Sequence, residues 1–404
     1  MKWISVGDFR IESEEKQAIK EVLDSGRISE GEKVVEFENA FSRYIGTKHT
    51  ALMNSGTSAI IAGLMSLLFA DDLSIKPQTN VITTPLTYIA TVNAIELARF
   101  NPVFVDVDPE TFVITPENVK KHLENVEDVN RYSIVLPVHL MGYPVDMDEI
   151  NRVCKEYGLL SFEDSAQAHG SLYKGRKCGS LSLASAFSFY IAHNIQVGEM
   201  GALTTNDPKI AKLARRIKAH GRMCDCRVCT RSMGLCPYKR TGDEEFDPRF
   251  YHTHIGYNFK TTEFMATLGL VQLKRVDWIK KKRQENVKFL NEGLAKFSDV
   301  LQLPKYSEDI SYLAYPLVIK KRMSIPRNKL MYKLEKSGIE TRPLFSCIPT
   351  QQPAYQHLKE KYEGTLPNAE YIGKNGFYIG CHQFIRQEDL SYIIGVFKQV
   401  LTTS

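Results

Sequence analysis

Four cysteines fall within thirteen residues, Cys224-Asp225-Cys226-Arg227-Val228-Cys229 and then Cys236, in the pattern CxCxxCx6C. Thiolates are soft ligands, and four at this spacing suit an iron–sulfur cluster or zinc. Disulfides are disfavoured, because the sequence carries no export signal. A second group is Glu163-Asp164-Ser165-Ala166-Gln167-Ala168-His169-Gly170, which follows the apolar run Leu159 to Phe162. Asp164 therefore stands at a strand end, where a carboxylate can pair with a protonated pyridine nitrogen and keep that ring an electron sink. A third is Asn54-Ser55-Gly56-Thr57-Ser58-Ala59, small residues ahead of the apolar helical run Ile60 to Leu68. Free N–H groups at a helix start bind phosphate, although the same letters describe any N-capped helix. His193, within Phe187 to Gly201, adds an imidazole able to move protons near neutral pH.

The elements that would position these groups follow from periodicity. From about 50 to 207 short apolar or β-branched runs alternate with helix-period segments, the pattern of a parallel sheet built from βαβ units. Val103 to Val107, Ser133 to Leu140, Leu159 to Asp164, Ser185 to Tyr190 and Ala202 to Thr205 read as strands, with polar residues at their carboxyl ends, where open α/β sheets place ligands. A long helical pattern from Thr261 to Leu290 and a strand-like Leu313 to Ile319 open a second region. The expectation is a cofactor-binding domain over 1–264, with a cysteine-rich insert at about 222–240, and a smaller α/β domain over 265–404. The 404 residues suit one large and one smaller domain, and 43% hydrophobic with 25% charged residues is ordinary globular usage. The N-terminus lacks an apolar signal region and no apolar run is long enough to span a bilayer, so a cytoplasmic protein without membrane partners is expected. The net charge of +5 is mild, and the basic run Lys280-Lys281-Lys282-Arg283 reads as a solvated helix face, not a nucleic-acid patch.

These motifs together resemble the DegT/DnrJ/EryC1/StrS family of sugar aminotransferases, whose matching segment reads FSFxxxKxxxxGEGG against Phe187 to Gly201 here. The likeness covers nearly the whole chain and includes Ser29-Glu30-Gly31, Phe37-Glu38, Thr84-Pro85-Leu86-Thr87-Tyr88, Val138-His139-Leu140-Met141-Gly142 and Gly256-Tyr257-Asn258. It implies the aspartate-aminotransferase (type I, pyridoxal phosphate) fold, a large mixed-sheet domain with a smaller C-terminal α/β domain. It also implies that Tyr88 stacks on the pyridine ring, Asp164 pairs its nitrogen, Gln167 lies near its hydroxyl, and Gly56, Thr57 and Ser188 hold phosphate. By the same likeness Asn258 reaches a phosphate across a homodimer interface, and Arg342 lies near a nucleotide-sugar substrate.

The sequence departs from the family at one position, where His193 replaces the lysine that would hold the cofactor covalently. An imidazole cannot make that Schiff base, so the cofactor is expected as free pyridoxamine 5'-phosphate, with His193 as the proton-moving group. The branch of the family with this exchange is the sugar 3-dehydratases, which implies C3 deoxygenation of an NDP-4-keto-6-deoxyhexose in deoxysugar biosynthesis for lipopolysaccharide or antibiotics. The cysteine pattern then points to reduction through a [2Fe-2S] or [4Fe-4S] cluster on Cys224, Cys226, Cys229 and Cys236, fed by a flavin/iron–sulfur reductase or another electron donor. Iron–sulfur members of the branch take one ligand from the segment matching Asp164 to Gln167, where this chain has Ser165 and Ala166, so all four ligands here would be local. The alternatives are a cluster-free dehydratase that uses glutamate and holds zinc in the cysteine loop, or a regulatory homologue without catalysis. Cys154, Cys178, Cys347 and Cys381 are expected as buried apolar residues. His169 could touch cofactor or sugar or be an ordinary hydrogen-bonded histidine, and His220, Arg222 and Arg231 read as solvated surface beside the cysteine loop, with contact to nucleotide phosphates as the alternative.

Overall fold

The computed structural model describes residues 3–238, 247 and 250–402. The last two residues of the insert expected at about 222–240 lie outside the described residues. Nine strands precede the cysteine loop: β1 (His49–Met53), β2 (Asn80–Thr83), β3 (Asn101–Phe104), β4 (Tyr132–Leu136), β5 (Leu160–Asp164), the short ribbon β6 (Leu172–Tyr173) and β7 (Arg176–Lys177), β8 (Ala184–Ser188) and β9 (Gly201–Thr205). Seven form one sheet in the order β1-β9-β8-β5-β4-β2-β3. β3, β2, β4, β5 and β8 run parallel, while β9 is antiparallel to both its neighbours, β8 and β1. The sheet is thus mixed, as the type I fold requires.

The expected strands sit one to four residues earlier than their apolar runs suggested at several ends, because the polar carboxyl-end residues already belong to loops. Ser133 to Leu140, for example, is strand only to Leu136, and Leu140–Gly142 forms a tight turn. A second sheet of four short antiparallel strands, β10 (Leu301–Gln302), β11 (Tyr315–Ile319), β12 (Thr341–Pro343) and β13 (Gly376–Ile379), runs in the order β10-β11-β13-β12. The helical pattern from Thr261 splits into Glu263–Lys274 and Val276–Leu294. The break falls at Arg275, whose guanidinium is held by Glu12, Glu14 and Glu15 of the N-terminal helix region.

The helix Gly56–Leu68 is apolar on nearly every side because it packs between the sheet, through β8 and β9, and the helices Ala90–Leu97 and Pro208–Ile217. One continuous apolar core runs from this helix through both sheets. A second cluster gathers Phe37 and Phe41 of the helix Glu32–Ile45 against Phe187, Phe189, Ile195, Val197 and Met200, and so backs the segment that carries His193. Cys154, Cys178, Cys347 and Cys381 are buried, as their scattered apolar settings implied. No described helix is long and apolar enough to cross a membrane.

Candidate active site

At the start of the helix Gly56–Leu68, the Ser55 hydroxyl accepts the Ser58 N–H at 3.1 Å, and the Ser58 hydroxyl reaches Asn54 Oδ1 at 2.6 Å. The N–H groups of Gly56 and Thr57 are left for another acceptor. β8 approaches so closely that a Cβ on Gly56 would lie 2.5 Å from Ser188 Cβ, and one on Gly201 would lie 2.1 Å from the Ser55 carbonyl oxygen. Gly56, with Thr57 beside it, and Ser188 therefore come together, in a set of N–H and hydroxyl donors suited to a phosphate.

Asp164 ends β5 and is 4% exposed. Its Oδ2 accepts the Thr91 hydroxyl at 2.8 Å and its Oδ1 the Ala166 N–H at 3.1 Å. Burial pushes its carboxyl up, opposed by these two donors and by His139. A buried carboxylate in that state gains most from a cationic neighbour, which is the chemistry a protonated pyridine nitrogen offers. Tyr88 is tied to the same place, since its carbonyl accepts the Thr91 N–H at 3.2 Å, while its ring stays 61% exposed and free to stack. The Gln167 side-chain oxygen accepts the Met141 N–H at 2.9 Å, which fixes the amide one turn from Asp164.

His193 sits in the loop closed by the bridge between Tyr190 and Gly198, with its N–H on the Tyr190 carbonyl at 2.8 Å. It is half-buried, and its buried Nδ1 has no hydrogen-bond partner. Burial lowers its pKa to about 4, helped by the charge of Arg283 and opposed by the Ser188 carbonyl, so the imidazole is neutral at ordinary pH. His169 lies with its ring 6.2 Å from that of His193, fully buried among Phe41, Phe187 and Phe189, with neither ring nitrogen partnered. Among the described residues Lys218 is the only buried lysine, and its ammonium is taken by Glu30 at 2.7 Å and the Leu52 carbonyl at 2.9 Å.

Sequence reasoning missed the support behind Asp164. Glu163 points to the opposite face of β5, where its carboxylate collects His139 Nε2 at 2.9 Å, the Gly179 and Leu181 N–H groups at 2.8 and 2.9 Å, and the Ser182 hydroxyl. Burial works to raise this carboxyl, but the donors, His139 first, hold it below the usual range. Because His139 Nδ1 accepts the Val145 N–H at 3.0 Å, its Nε2 must carry the proton and donate to Glu163. The signal was present in the adjacent letters Glu163-Asp164, since alternating residues of a strand face opposite ways.

The remaining expected residues are spread more widely. Asn258 is exposed and pairs through its backbone with Ala219, next to Phe259, whose carbonyl accepts the Asn54 N–H at 2.8 Å. Arg342 is held by Glu340 at 3.0 Å. Arg231 lies over the Phe250 ring at 4.7 Å, and His220 is exposed. Cys224 and Cys236 are half-buried, Cys226 and Cys229 are exposed, and all four thiols are free. The Cys226 thiol is pushed up by burial and then by Cys224, Asp225, Cys236 and Cys229, so the four lie within electrostatic reach of one another. Among the described residues, however, no three ligand-type side chains converge on one point. Donor chemistry suits a soft metal; the assembled ligand geometry is not preformed. The basic run is corrected here: Arg283 is fully buried, because it turns inward from the helix Val276–Leu294 to reach backbone carbonyls.

A mixed seven-stranded sheet with a helix start packed closely on one strand and a buried aspartate at a neighbouring strand end defines the type I pyridoxal-phosphate fold. The chain belongs to the DegT/DnrJ/EryC1/StrS aminotransferase family, whose model matches residues 10–398. It is 31% identical to a GDP-perosamine synthase of Caulobacter vibrioides, over 98% of each chain. It also resembles the structure of Escherichia coli GDP-4-keto-6-deoxy-D-mannose-3-dehydratase with bound hydrated PLP, at 26% identity and a TM-score of 0.84 over 98% of this chain and 100% of that one. A GDP-4-keto-6-deoxymannose-3-dehydratase with a trapped PLP–glutamate geminal diamine matches at 26% identity and a TM-score of 0.84, over 97% and 99% of the two chains. The family's members thus include PLP-dependent enzymes of nucleotide-sugar modification, both aminotransferases and 3-dehydratases.

Proposed function

We propose that the protein is a pyridoxamine-phosphate-dependent 3-dehydratase of an NDP-4-keto-6-deoxyhexose. The observation that carries this reading is a neutral, half-buried imidazole at position 193 with a buried nitrogen left unpartnered, while Lys218, the one buried lysine among the described residues, is already engaged by Glu30. Gly56, Thr57 and Ser188 would hold the phosphate, Tyr88 would cover one ring face, and Asp164 would pair the ring nitrogen with Gln167 near the ring hydroxyl. Bound there, the cofactor would supply an amine for the 4-keto group and a ring that accepts electrons. His193, neutral and close to the Ser188 carbonyl, would take and return the proton, a role lysine plays in aminotransferases and one that leaves no covalent tether. Asn258 is assigned to a homodimer contact with phosphate, residues 1–264 to cofactor binding, and 265–404 to the smaller domain.

For the reducing half of the reaction we assign an iron–sulfur cluster to Cys224, Cys226, Cys229 and Cys236, with electrons from an external flavin/iron–sulfur reductase. Four free thiols in mutual electrostatic reach support it. The second reading, glutamate-driven turnover with zinc in the loop, is supported by the likeness to a 3-dehydratase whose structure holds a trapped PLP–glutamate geminal diamine. Anaerobically purified protein decides between them. Bound iron and acid-labile sulfide with a brown colour are expected; colourless protein that releases 2-oxoglutarate from glutamate would replace the cluster reading. For the dehydration itself, the substrate is incubated with pyridoxamine phosphate and the product mass is followed. A released sugar lighter by one oxygen atom, the C3 hydroxyl leaving as water and the two electrons coming from conversion of pyridoxamine phosphate to pyridoxal phosphate, is expected from the native protein and not from His193→Lys, which should instead bind pyridoxal phosphate covalently. Unimpaired water loss by that variant would overturn the role given to His193.

A further inference from the structure

Phe345 carries an aromatic side chain on a left-handed backbone, with φ of +53°. A bulky residue is disfavoured there because its Cβ crowds the following carbonyl, and glycine or asparagine is the usual occupant. Such a conformation persists only where the surrounding structure enforces it, which directs attention to what the side chain does.

The turn is held from both sides. The Leu344 N–H is taken by the Gly376 carbonyl at 3.0 Å and the Cys347 N–H by Gln351 Oε1 at 3.0 Å. Gly373 lets the helix Pro367–Asn375 close on the same turn, since a Cβ there would lie 2.7 Å from the Cys347 nitrogen. Alongside runs the segment that carries Tyr88. Leu86 pairs with Cys347 in an antiparallel bridge, and the Ile348 N–H reaches the Pro85 carbonyl at 2.8 Å. That register sets Tyr88 opposite Phe345. The two rings meet edge to face, with centroids 6.3 Å apart and planes at 61°. Behind Phe345 stands the buried ring of Tyr378 on β13, at 6.3 Å between centroids. Among the described residues Phe345 is the one aromatic ring packed on Tyr88.

We propose that Phe345 is a positioning residue for the cofactor: it holds the exposed Tyr88 ring at the angle that covers the pyridine face, and the left-handed turn is kept because it aims Phe345 there. The inference rests on the stacking role proposed for Tyr88. An exposed tyrosine turns about its side-chain torsions, and fixing it in advance lowers the entropy lost when a ring stacks on it. Glycine or asparagine at position 345 would relieve the backbone and leave Tyr88 without its support.

The test is equilibrium dialysis of the full chain against pyridoxamine phosphate. Phe345→Gly and Phe345→Asn remove the ring and suit the backbone, so both should stay folded by far-ultraviolet circular dichroism. Each should bind the cofactor about fivefold more weakly, the weight of one aromatic pair, while Phe345→Tyr keeps the ring and the native affinity. The induced circular dichroism of the bound cofactor should fall in Phe345→Gly and return in Phe345→Tyr, a signature that a purely structural side chain would not move. Tyr88→Ala should weaken binding about tenfold, and the double variant with Phe345→Gly no further, because Phe345 acts through Tyr88. Should neither ring-less variant fold, Phe345→Leu carries the same comparison at closer volume. Native affinity in a folded variant without the ring, or additive losses in the double variant, would overturn the proposal. If Tyr88→Ala alone binds as the native protein does, the stacking role itself fails and this proposal falls with it; a loss in Tyr88→Ala without one in Phe345→Gly strikes the part given to Phe345 alone.

Discussion

Asp164 and Glu163 are neighbours in sequence with opposite tasks, and the difference lies in how many donors each collects. Glu163 gathers four and is held ionised as a brace, whereas Asp164 has two, and burial leaves its carboxyl raised. Asp164→Ala should therefore lose pyridoxamine phosphate at least tenfold, about 1.4 kcal/mol, in equilibrium dialysis, with the fold intact by circular dichroism. Retention of native affinity would remove Asp164 from the site. His139→Ala should act the other way. It strips a donor from a buried carboxylate and opens a cavity, for a loss of about 2–4 kcal/mol in denaturant unfolding. The residues legible in the sequence were those whose chemistry is local to a strand or helix end, Asp164, His193 and the Gly56-Thr57 turn. The His139–Glu163 pair and Arg283 were not, because their partners lie 24 to 30 positions away and only folding joins them.

Elements were legible where their periodicity was long. The core strands β3, β4, β5, β8 and β9 follow their apolar runs, and β11 falls within the strand-like Leu313 to Ile319, while β10, β12 and β13 are two to four residues each and carry too few alternations to stand out. The single helix read from Thr261 to Leu290 breaks at Arg275 through contacts with Glu12, Glu14 and Glu15, more than 250 residues earlier, which no local pattern contains. Close packing at the junction of β9 with the helix Gly56–Leu68 yields a further prediction. In Gly201→Ala the new methyl would meet the Ser55 carbonyl at 2.1 Å, backbone against backbone, with no flexible side chain to give way. The helix start must move away from β9. An overpacking cost of about 1–3 kcal/mol is expected, with weakened phosphate binding measurable by inorganic phosphate competition. A variant of native stability and native phosphate affinity would show that this junction does not set the cradle.

At the scale of the whole molecule, the polar interior behind the site makes stability depend on pH. His169, His193 and His382 are all lowered from the ordinary value of 6.5, burial being the largest cause in each. The unfolded chain therefore binds protons that the folded one refuses, and stability falls as pH drops from 6.5 to about 4, the value reached by His193 and His382. Glu163, held below its ordinary range, acts in the same sense at lower pH, and Asp164, raised by burial, acts against both. The melting temperature should fall steadily through that window. His169 offers the cleanest check, since it is enclosed by Phe41, Phe187 and Phe189 and hydrogen-bonds to nothing in the site. His169→Gln is uncharged at every pH and should flatten the acid slope while leaving the melting temperature at pH 8 within a few degrees of native. If the slope between pH 6.5 and 4 were unchanged in that variant, the His169 imidazole would contribute nothing to it, and the acid sensitivity would have to come from His193, His382 and Glu163.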